Sequence, residues 1–231
     1  REQDEPLTEV QGRRLLGILE RQMARADAVI LSDYNQGTLT SGIVRRAISL
    51  CRRARVPVLA DSRSRLPLFR GVTTATPNEV EASAAAGIDL GGERAVDRIG
   101  RRLLKILSAS SILVTRGRFG MSLFEPGKRK RSVSVIGSEE ATDVTGAGDT
   151  VVSTAALTLA AGGDMEAAMR IANAAAAIVV MKRGTAVASV EELRAQCDEL
   201  RARWQRAAAD YANLKRRVAS DLEAGARRRL A

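Results

Sequence analysis

The stretch Asp143-Val144-Thr145-Gly146-Ala147-Gly148-Asp149-Thr150 decides how the rest of this chain is read. It sets two glycines and an acid directly before an apolar, Ala-rich segment, Val151–Ala161, which contains neither proline nor glycine and reads as a buried helix. Gly146, Ala147 and Gly148 then form the turn that leads into that helix. Backbone N–H groups left open at a helix start, with the positive end of the helix dipole behind them, favour an anion. Asp149 beside such an anion hole is placed to take a proton from an attacking hydroxyl, which is the role a phosphoryl-transfer site needs filled.

Upstream, short apolar runs alternate with helical patterns. Leu15, Leu16, Leu19 and Met23 repeat at helical spacing and lead into Ala28-Val29-Ile30-Leu31-Ser32, a run closed by Asp33-Tyr34-Asn35-Gln36-Gly37. This is the pattern of a buried parallel strand with a polar loop at its carboxyl end, the edge where ligands collect in open α/β sheets. Residues 41–54 read as a helix, and Val56-Pro57-Val58-Leu59-Ala60 as a second strand ending at the acid Asp61. Val72–Ala75 gives a third strand, followed by Thr76-Pro77-Asn78-Glu79-Val80-Glu81 at a helix start. Asn78 and Glu81 share one helical face, which serves either a capping box or two polar groups directed at one spot.

Residues 93–107 form the next helix and Ile112–Thr115 the next strand, which runs into Arg116-Gly117-Arg118-Phe119-Gly120. Met121–Phe124 and Ser132–Ile136 flank the turn Pro126-Gly127-Lys128 as a hairpin. Beyond the opening stretch, Ala167–Met181 is a second Ala-rich helix and contains Asn173. Repeated strand–helix units of this length argue for an α/β fold, a parallel sheet with helices on both faces.

Composition narrows the chemistry. The 231 residues are 45% hydrophobic, enough for one sizeable core or a core with an appendage. The longest apolar runs, Val151–Ala161 and Ala174–Met181, fall short of the roughly 20 residues that span a bilayer, and the first residues carry no secretory pattern. A start at Arg1 rather than Met reads as a fragment or a processed product. The absence of histidine excludes His-based triads and His-liganded zinc, leaving acid–base work to carboxylates or lysine. Cys51 and Cys197 form neither a disulfide framework nor a metal-ligand spacing, which fits a reducing cytoplasm. A net charge of +10 invites a nucleic-acid partner, but the arginines are spread over every segment and aromatics are only 3% of the chain, too few for a stacking platform. The same excess equally suits attraction of ATP and phosphorylated sugars.

From about Val190 the pattern changes. Leu193, Cys197, Leu200, Trp204, Ala207, Tyr211, Leu214 and Val218 follow a 4-3 alternation with charged residues between them, and neither glycine nor proline interrupts the segment before Gly225. This predicts one long helix, either projecting as a coiled coil or packed on the α/β core.

Taken together, these residues resemble the ribokinase/PfkB family of sugar kinases. Residues 143–150 are similar to its C-terminal signature and Asn78-Glu79-Val80-Glu81 to its Asn-x-x-Glu motif, in the family's order. Leu31-Ser32-Asp33-Tyr34, Leu113-Val114-Thr115-Arg116-Gly117 with Gly120-Met121-Ser122-Leu123-Phe124, and Asn173 through Val180 look most like the heptose-phosphate kinase branch. That branch makes the bisphosphate precursor of ADP-heptose for bacterial lipopolysaccharide.

The resemblance covers roughly residues 1–190 and implies a ribokinase-like kinase core, incomplete at its N-terminus, with residues 191–231 following as a long amphipathic, coiled-coil-like helix. It implies Asp149 as catalytic base, with the backbone of Gly146, Ala147 and Gly148 as anion hole. Asn78 and Glu81 would organise Mg2+ through water near the ATP phosphates. Thr115, Arg116, Gly117, Gly120 and Asn173 would lie beside the nucleotide, and Asp33 on the sugar side. The implied substrate is D-glycero-D-manno-heptose 7-phosphate, and the implied assembly a cytoplasmic homodimer without membrane or nucleic-acid contacts.

The family's first strands, Gly-Gly motif, most sugar contacts and β-lid have no counterpart in this sequence. The expectation is therefore an ATP half without its sugar half. The alternative function is a catalytically impaired fragment that binds nucleotide or dimerises. Asp198 through Arg217 resembles the dimerising helix of GrpE, the nucleotide-exchange factor of the DnaK chaperone, which implies a chaperone-related partner for the tail.

Overall fold

Short β-branched and aliphatic runs make the central strands here, which are buried on both sides by helices packed on both faces, whereas the edge strand β1, expected to be buried, leaves Ile30 and Ser32 exposed. The computed structural model describes residues 5–92, 94–136 and 142–230, with side chains through Arg217. Glu93 of the expected 93–107 helix and the side chains of Val218 and Arg227–Arg229 lie outside these. In chain order the elements are α1 Glu9–Gln22, β1 Val29–Asp33, α2 Ser41–Ala54, β2 Val58–Ser62, β3 Thr74–Ala75, α3 Glu79–Ala86, α4 Ala95–Leu107, β4 Ser111–Thr115, β5 Met121–Phe124, β6 Arg131–Val133, α5 Ala147–Ala160, α6 Met165–Val179 and α7 Val190–Leu230.

The described strands form one sheet in the order β1-β2-β3-β4-β5-β6. The first four run parallel, with Val29 opposite Val58 and Thr74 opposite Ser111. The sheet is mixed rather than wholly parallel, because β5 returns antiparallel on β4 and β6 antiparallel on β5. The short connections after β4, through Gly117–Phe119, and after β5, at the expected hairpin Pro126-Gly127-Lys128, are the cause: a short turn can join only antiparallel strands. Gly120 makes the sharp approach to β5 possible, since its φ is +78° and a Cβ there would lie 1.9 Å from the Val133 carbonyl oxygen.

Alternate strand residues feed two cores. Val58, Ala60, Ile112 and Val114 pack with Val44, Ile48, Ile99 and Leu103 of the helices on one face. Leu59 and Leu113 point the other way, against Val151, Val152, Ala155 and Met169 of α5 and α6. Each such fully buried aliphatic side chain stabilises the fold by about 1.5–3 kcal/mol. Helix α4 sits close on β5 because residue 100 is glycine, where a Cβ would come 2.4 Å from the Phe124 ring. The carboxyl ends of the four parallel strands therefore open together at one edge, delivering Asp33, Asp61, Thr76 and Thr115 to it.

The chain divides into two compact units between Ala188 and Ser189. The second begins with a capping box, in which Ser189 N–H donates to Glu192 Oε2 at 2.8 Å and Glu192 N–H donates to Ser189 Oγ at 3.2 Å. Helix α7 then runs for 41 residues, with Trp204, Tyr211 and Leu214 exposed along it. Among the described residues no helix is long and apolar enough to cross a membrane.

Candidate active site

Asp143 builds the turn that precedes α5. Its Oδ1 accepts from Thr145 N–H and its Oδ2 from Gly184 N–H, both at 2.9 Å. These bonds, the Thr145 ones foremost, hold its carboxyl below the usual carboxylate range. Gly146 then takes φ +77°, a left-handed conformation in which any side chain is strained, and caps the helix. Thr150 N–H and its hydroxyl both donate to the Gly146 carbonyl at 2.9 Å, locking the first turn. Ala147 N–H is used within the turn, donating to Val144 O at 3.2 Å. The N–H groups of Gly146, Gly148 and Asp149 have no acceptor among the described residues, so this helix start presents open donors.

Asp149 stands in that first turn, exposed, with Oδ1 accepting from the Tyr34 hydroxyl at 2.8 Å. The bond pushes the Tyr34 hydroxyl above its ordinary pKa. The Arg63 guanidinium lies over the Tyr34 ring, 5.1 Å from its centroid.

Two cavities, each of about 180 Å³, adjoin at Thr115 and Gly148. The polar one holds Asp33, Asp61, Asn78, Glu81, Gly146 and Asp149. The apolar one is walled by Gly117, Gly120, Val144, Ala147, Asn173 and Val180. The tertiary fold thus gathers almost every residue anticipated from sequence into one continuous cleft. Arg116 is the exception and lines neither cavity. Its Nε donates to Glu79 Oε1 at 2.7 Å and its guanidinium rests 5.6 Å from the Phe119 ring centroid, so it braces the Gly117–Phe119 turn.

Other anticipated residues carry structural duties as well. Asn78 and Glu81 form a capping box on α3: Glu81 N–H donates to Asn78 Oδ1 at 2.9 Å and Asn78 N–H to Glu81 Oε2 at 3.0 Å. Both readings of the pair meet here, since the capping side chains also line the polar cavity. Asn173 is buried, and its Nδ2 donates to Ser134 O at 2.8 Å, tying α6 to the segment that follows β6. Asp33 is only 4% exposed, and both its oxygens are occupied. Arg65 donates to them at 2.6 and 3.1 Å, Ser62 Oγ and Asn35 N–H at 3.0 Å each. Burial pushes its carboxyl up, but the bonds from Arg65, Asn35 and Ser62 outweigh that and hold it below its ordinary value.

Sequence reasoning passed over Asp61, Tyr34 and Arg63 as site residues. Their signal was position: each lies at the carboxyl end of a parallel strand, Asp61 in the last residues of β2, Arg63 just after it and Tyr34 just after β1. Asp61 is half-buried, and desolvation, then the charges of Glu81 and Asp149, push its pKa up to about 6 against the opposing pull of Arg63. The cavity is therefore electronegative and suits a divalent cation beside phosphate oxygens. Among the described residues no three carboxylates converge closely enough to ligate a metal directly. A hard cation that keeps its waters, such as Mg2+, fits this donor set of carboxylates and one amide.

Residues 4–193 match the pfkB family carbohydrate kinase domain. The bifunctional protein HldE of Desulfatibacillum aliphaticivorans is 36% identical over 200 residues, covering 86% of this chain and 41% of that protein. The chain spans about two-fifths of the length of the curated relatives it matches. Among solved structures, phosphofructokinase-2 from Escherichia coli in complex with potassium superimposes with a TM-score of 0.72 at 21% identity, over 84% of this chain and 63% of that one. Ribokinase of Arabidopsis thaliana complexed with ribose and ATP gives a TM-score of 0.67 at 22% identity, over 83% and 60%. The sheet order, the glycine-capped helix α5 and the match over residues 4–193 agree, and the chain belongs to the pfkB family of carbohydrate kinases.

Proposed function

We propose that residues 1–190 are the nucleotide-handling core of a cytoplasmic ATP-dependent kinase that phosphorylates D-glycero-D-manno-heptose 7-phosphate on the way to ADP-heptose. The observation that carries this is the placement of Asp149 on the first turn of α5, beside open N–H donors and at the junction of a polar and an apolar cavity. The choice of sugar rests on the likeness to the heptose-phosphate kinase branch and to proteins named HldE.

In this reading the adenine occupies the apolar cavity beside Thr115, Gly117, Gly120 and Asn173, with the phosphates directed across Gly148. The anion hole is the Gly146–Gly148 turn, in which Gly146 and Gly148 supply donors and Ala147 shapes the backbone. Asp149 takes the proton from the attacking sugar hydroxyl through Oδ2, while Tyr34 holds Oδ1. Mg2+, which Asn78 and Glu81 would hold through water, would supply countercharge for the phosphates. Asp33 shapes the sugar side through its clamp on Arg65 rather than by a free carboxylate.

The test is Mg2+-dependent ATP turnover with the heptose phosphate, compared with Asp149→Asn. Loss of a general base lowers kcat by about 100- to 10,000-fold. Turnover within twofold of the parent in that variant removes Asp149 from the role.

A second reading is favoured by the exposed seam of α7: residues 191–231 act as a dimerisation arm, similar to the GrpE helix, with a nucleotide-binding core that does not turn over and a chaperone-related partner for the tail. Light scattering on the full chain and on a chain ending at Val190 separates the two. A dimer that becomes a monomer on truncation supports the arm, and an unchanged mass dismisses it.

A further inference from the structure

Three of the cations clustered at the hairpin are paired with carboxylates. Around the hairpin, Lys128 meets Glu125, Lys130 meets Asp97, and Arg131 meets both Glu125 and Glu166. A second cluster, on α2, differs in having no carboxylate among its lining residues. Arg45, Ser49, Arg52 and Arg53 lie on a single arc of α2, and Arg70, just after the Leu66–Leu68 turn, faces them across a basin of about 340 Å³. At 100° per residue these four α2 positions fall within roughly one-third of the helix circumference, so the three guanidiniums share one direction.

The floor of the basin is Ile48, 3% exposed. Beside the basin Gly71 takes φ +96°, and a Cβ there would lie 3.3 Å from Arg52 Nη1, so the Arg52 guanidinium rests close to the glycine backbone. No carboxylate lines the basin. Among the described residues none of the four arginine side chains makes an ion pair or hydrogen bond. Helix α2 ends nearby at Arg55, and its negative end accounts for cations at Arg52 and Arg53, but not for Arg70 arriving from another segment. Four like charges round one concavity repel each other, and an anion in the concavity turns that repulsion into binding.

We infer that this basin is a binding site for a small polyanion carrying two or more phosphate groups, such as a pyrophosphate moiety. Planar guanidiniums match phosphate oxygens in paired hydrogen bonds, and Ser49 adds a hydroxyl donor. The concave shape and the lack of any aromatic lining favour a compact anion over a nucleic-acid strand, which needs a groove and stacking surfaces. Arg52 and Arg53 close the helix that leads into the amino end of β2, and Arg70 precedes β3. The site therefore lies toward the opposite sheet edge from Asp149 and shares no lining residue with the two active-site cavities.

Isothermal titration of the full chain with inorganic pyrophosphate, at low and at 0.5 M salt, tests this. Arg52→Glu with Arg70→Glu is expected to weaken binding at least tenfold, whereas Arg118→Gln in the apolar cavity leaves it within twofold. Binding that is unchanged in the double variant, or abolished equally by Arg118→Gln, overturns the site. Should the double charge reversal fail to fold by circular dichroism, Arg52→Gln with Arg70→Gln replaces it, with at least a fivefold loss expected. A duplex DNA oligonucleotide that binds more tightly than pyrophosphate and loses affinity in the same variants overturns the small anion in favour of nucleic acid. The outcome is independent of kinase turnover, since Asp149→Asn retains pyrophosphate binding at this basin.

Discussion

Asp61→Asn is the perturbation whose magnitude the structure sets most directly. Desolvation, with Glu81 and Asp149 adding repulsion, raises the Asp61 carboxyl from 3.8 to about 6. A raised acid binds its proton more tightly in the folded chain than in the unfolded one. Stability is therefore undiminished below about pH 4, declines as pH rises through the window from 3.8 to about 6, and carries the full penalty above it. At 1.36 kcal/mol per pKa unit that penalty is about 3 kcal/mol. Asparagine keeps the shape and removes the charge, so the variant is expected to exceed the parent by about 2–3 kcal/mol at pH 7.5 and to match it near pH 4. Urea titrations at both pH values, followed by backbone circular dichroism, measure this. Tryptophan fluorescence does not serve, because Trp204 belongs to α7. A difference between variant and parent that is the same at both pH values refutes the electronegative cavity and, with it, the argument that the cavity suits a cation.

Two further variants probe neighbouring elements. Arg65→Met strands the buried Asp33 without its cation and is expected to cost about 3–5 kcal/mol at neutral pH. Because Asp33 is held low in the fold, the contribution is present above its unfolded pKa and fades as pH falls through the folded one, so a loss that persists in full at pH 3 counts against the clamp. Asn78→Ala removes the cap on α3 and is expected to cost about 1 kcal/mol. If Asn78 also helps hold Mg2+, the Mg2+ concentration for half-maximal turnover rises in the same variant, whereas an unchanged Mg2+ dependence restricts it to capping.

How far the fold and site could be read in advance follows the range of each interaction. The strands at Val29–Asp33 and Ser111–Thr115, the left-handed Gly146 before α5, the Asn78–Glu81 cap and the turn at Gly127 all rest on residues a few positions apart, and each was legible. The mixed sheet was legible in part, since the hairpin signal was present while its attachment to β4 was not. The antiparallel edge depends on which strand the hairpin finds beside it. Arg116 was misplaced for a similar reason: its neighbours in sequence line the apolar cavity, but Glu79, 37 positions away, captures its side chain.

The amino-acid sequence by itself determined the period of each segment, the acids at strand ends and the long uninterrupted α7, because those follow from backbone sterics, apolar spacing and local hydrogen bonds, while α5 and α6 begin earlier than expected, at Ala147 and Met165. Only the tertiary structure decided what the acids do. Asp33 is locked to Arg65 across 32 positions, while Asp149 keeps a reachable carboxylate steadied by Tyr34 across 115. Asp61 gains its raised pKa first from burial and then from charges brought in by α3 and α5. Burial and distance between remote segments set those differences, and neither quantity is defined until β1 and β2 lie side by side and α5 starts over their carboxyl ends.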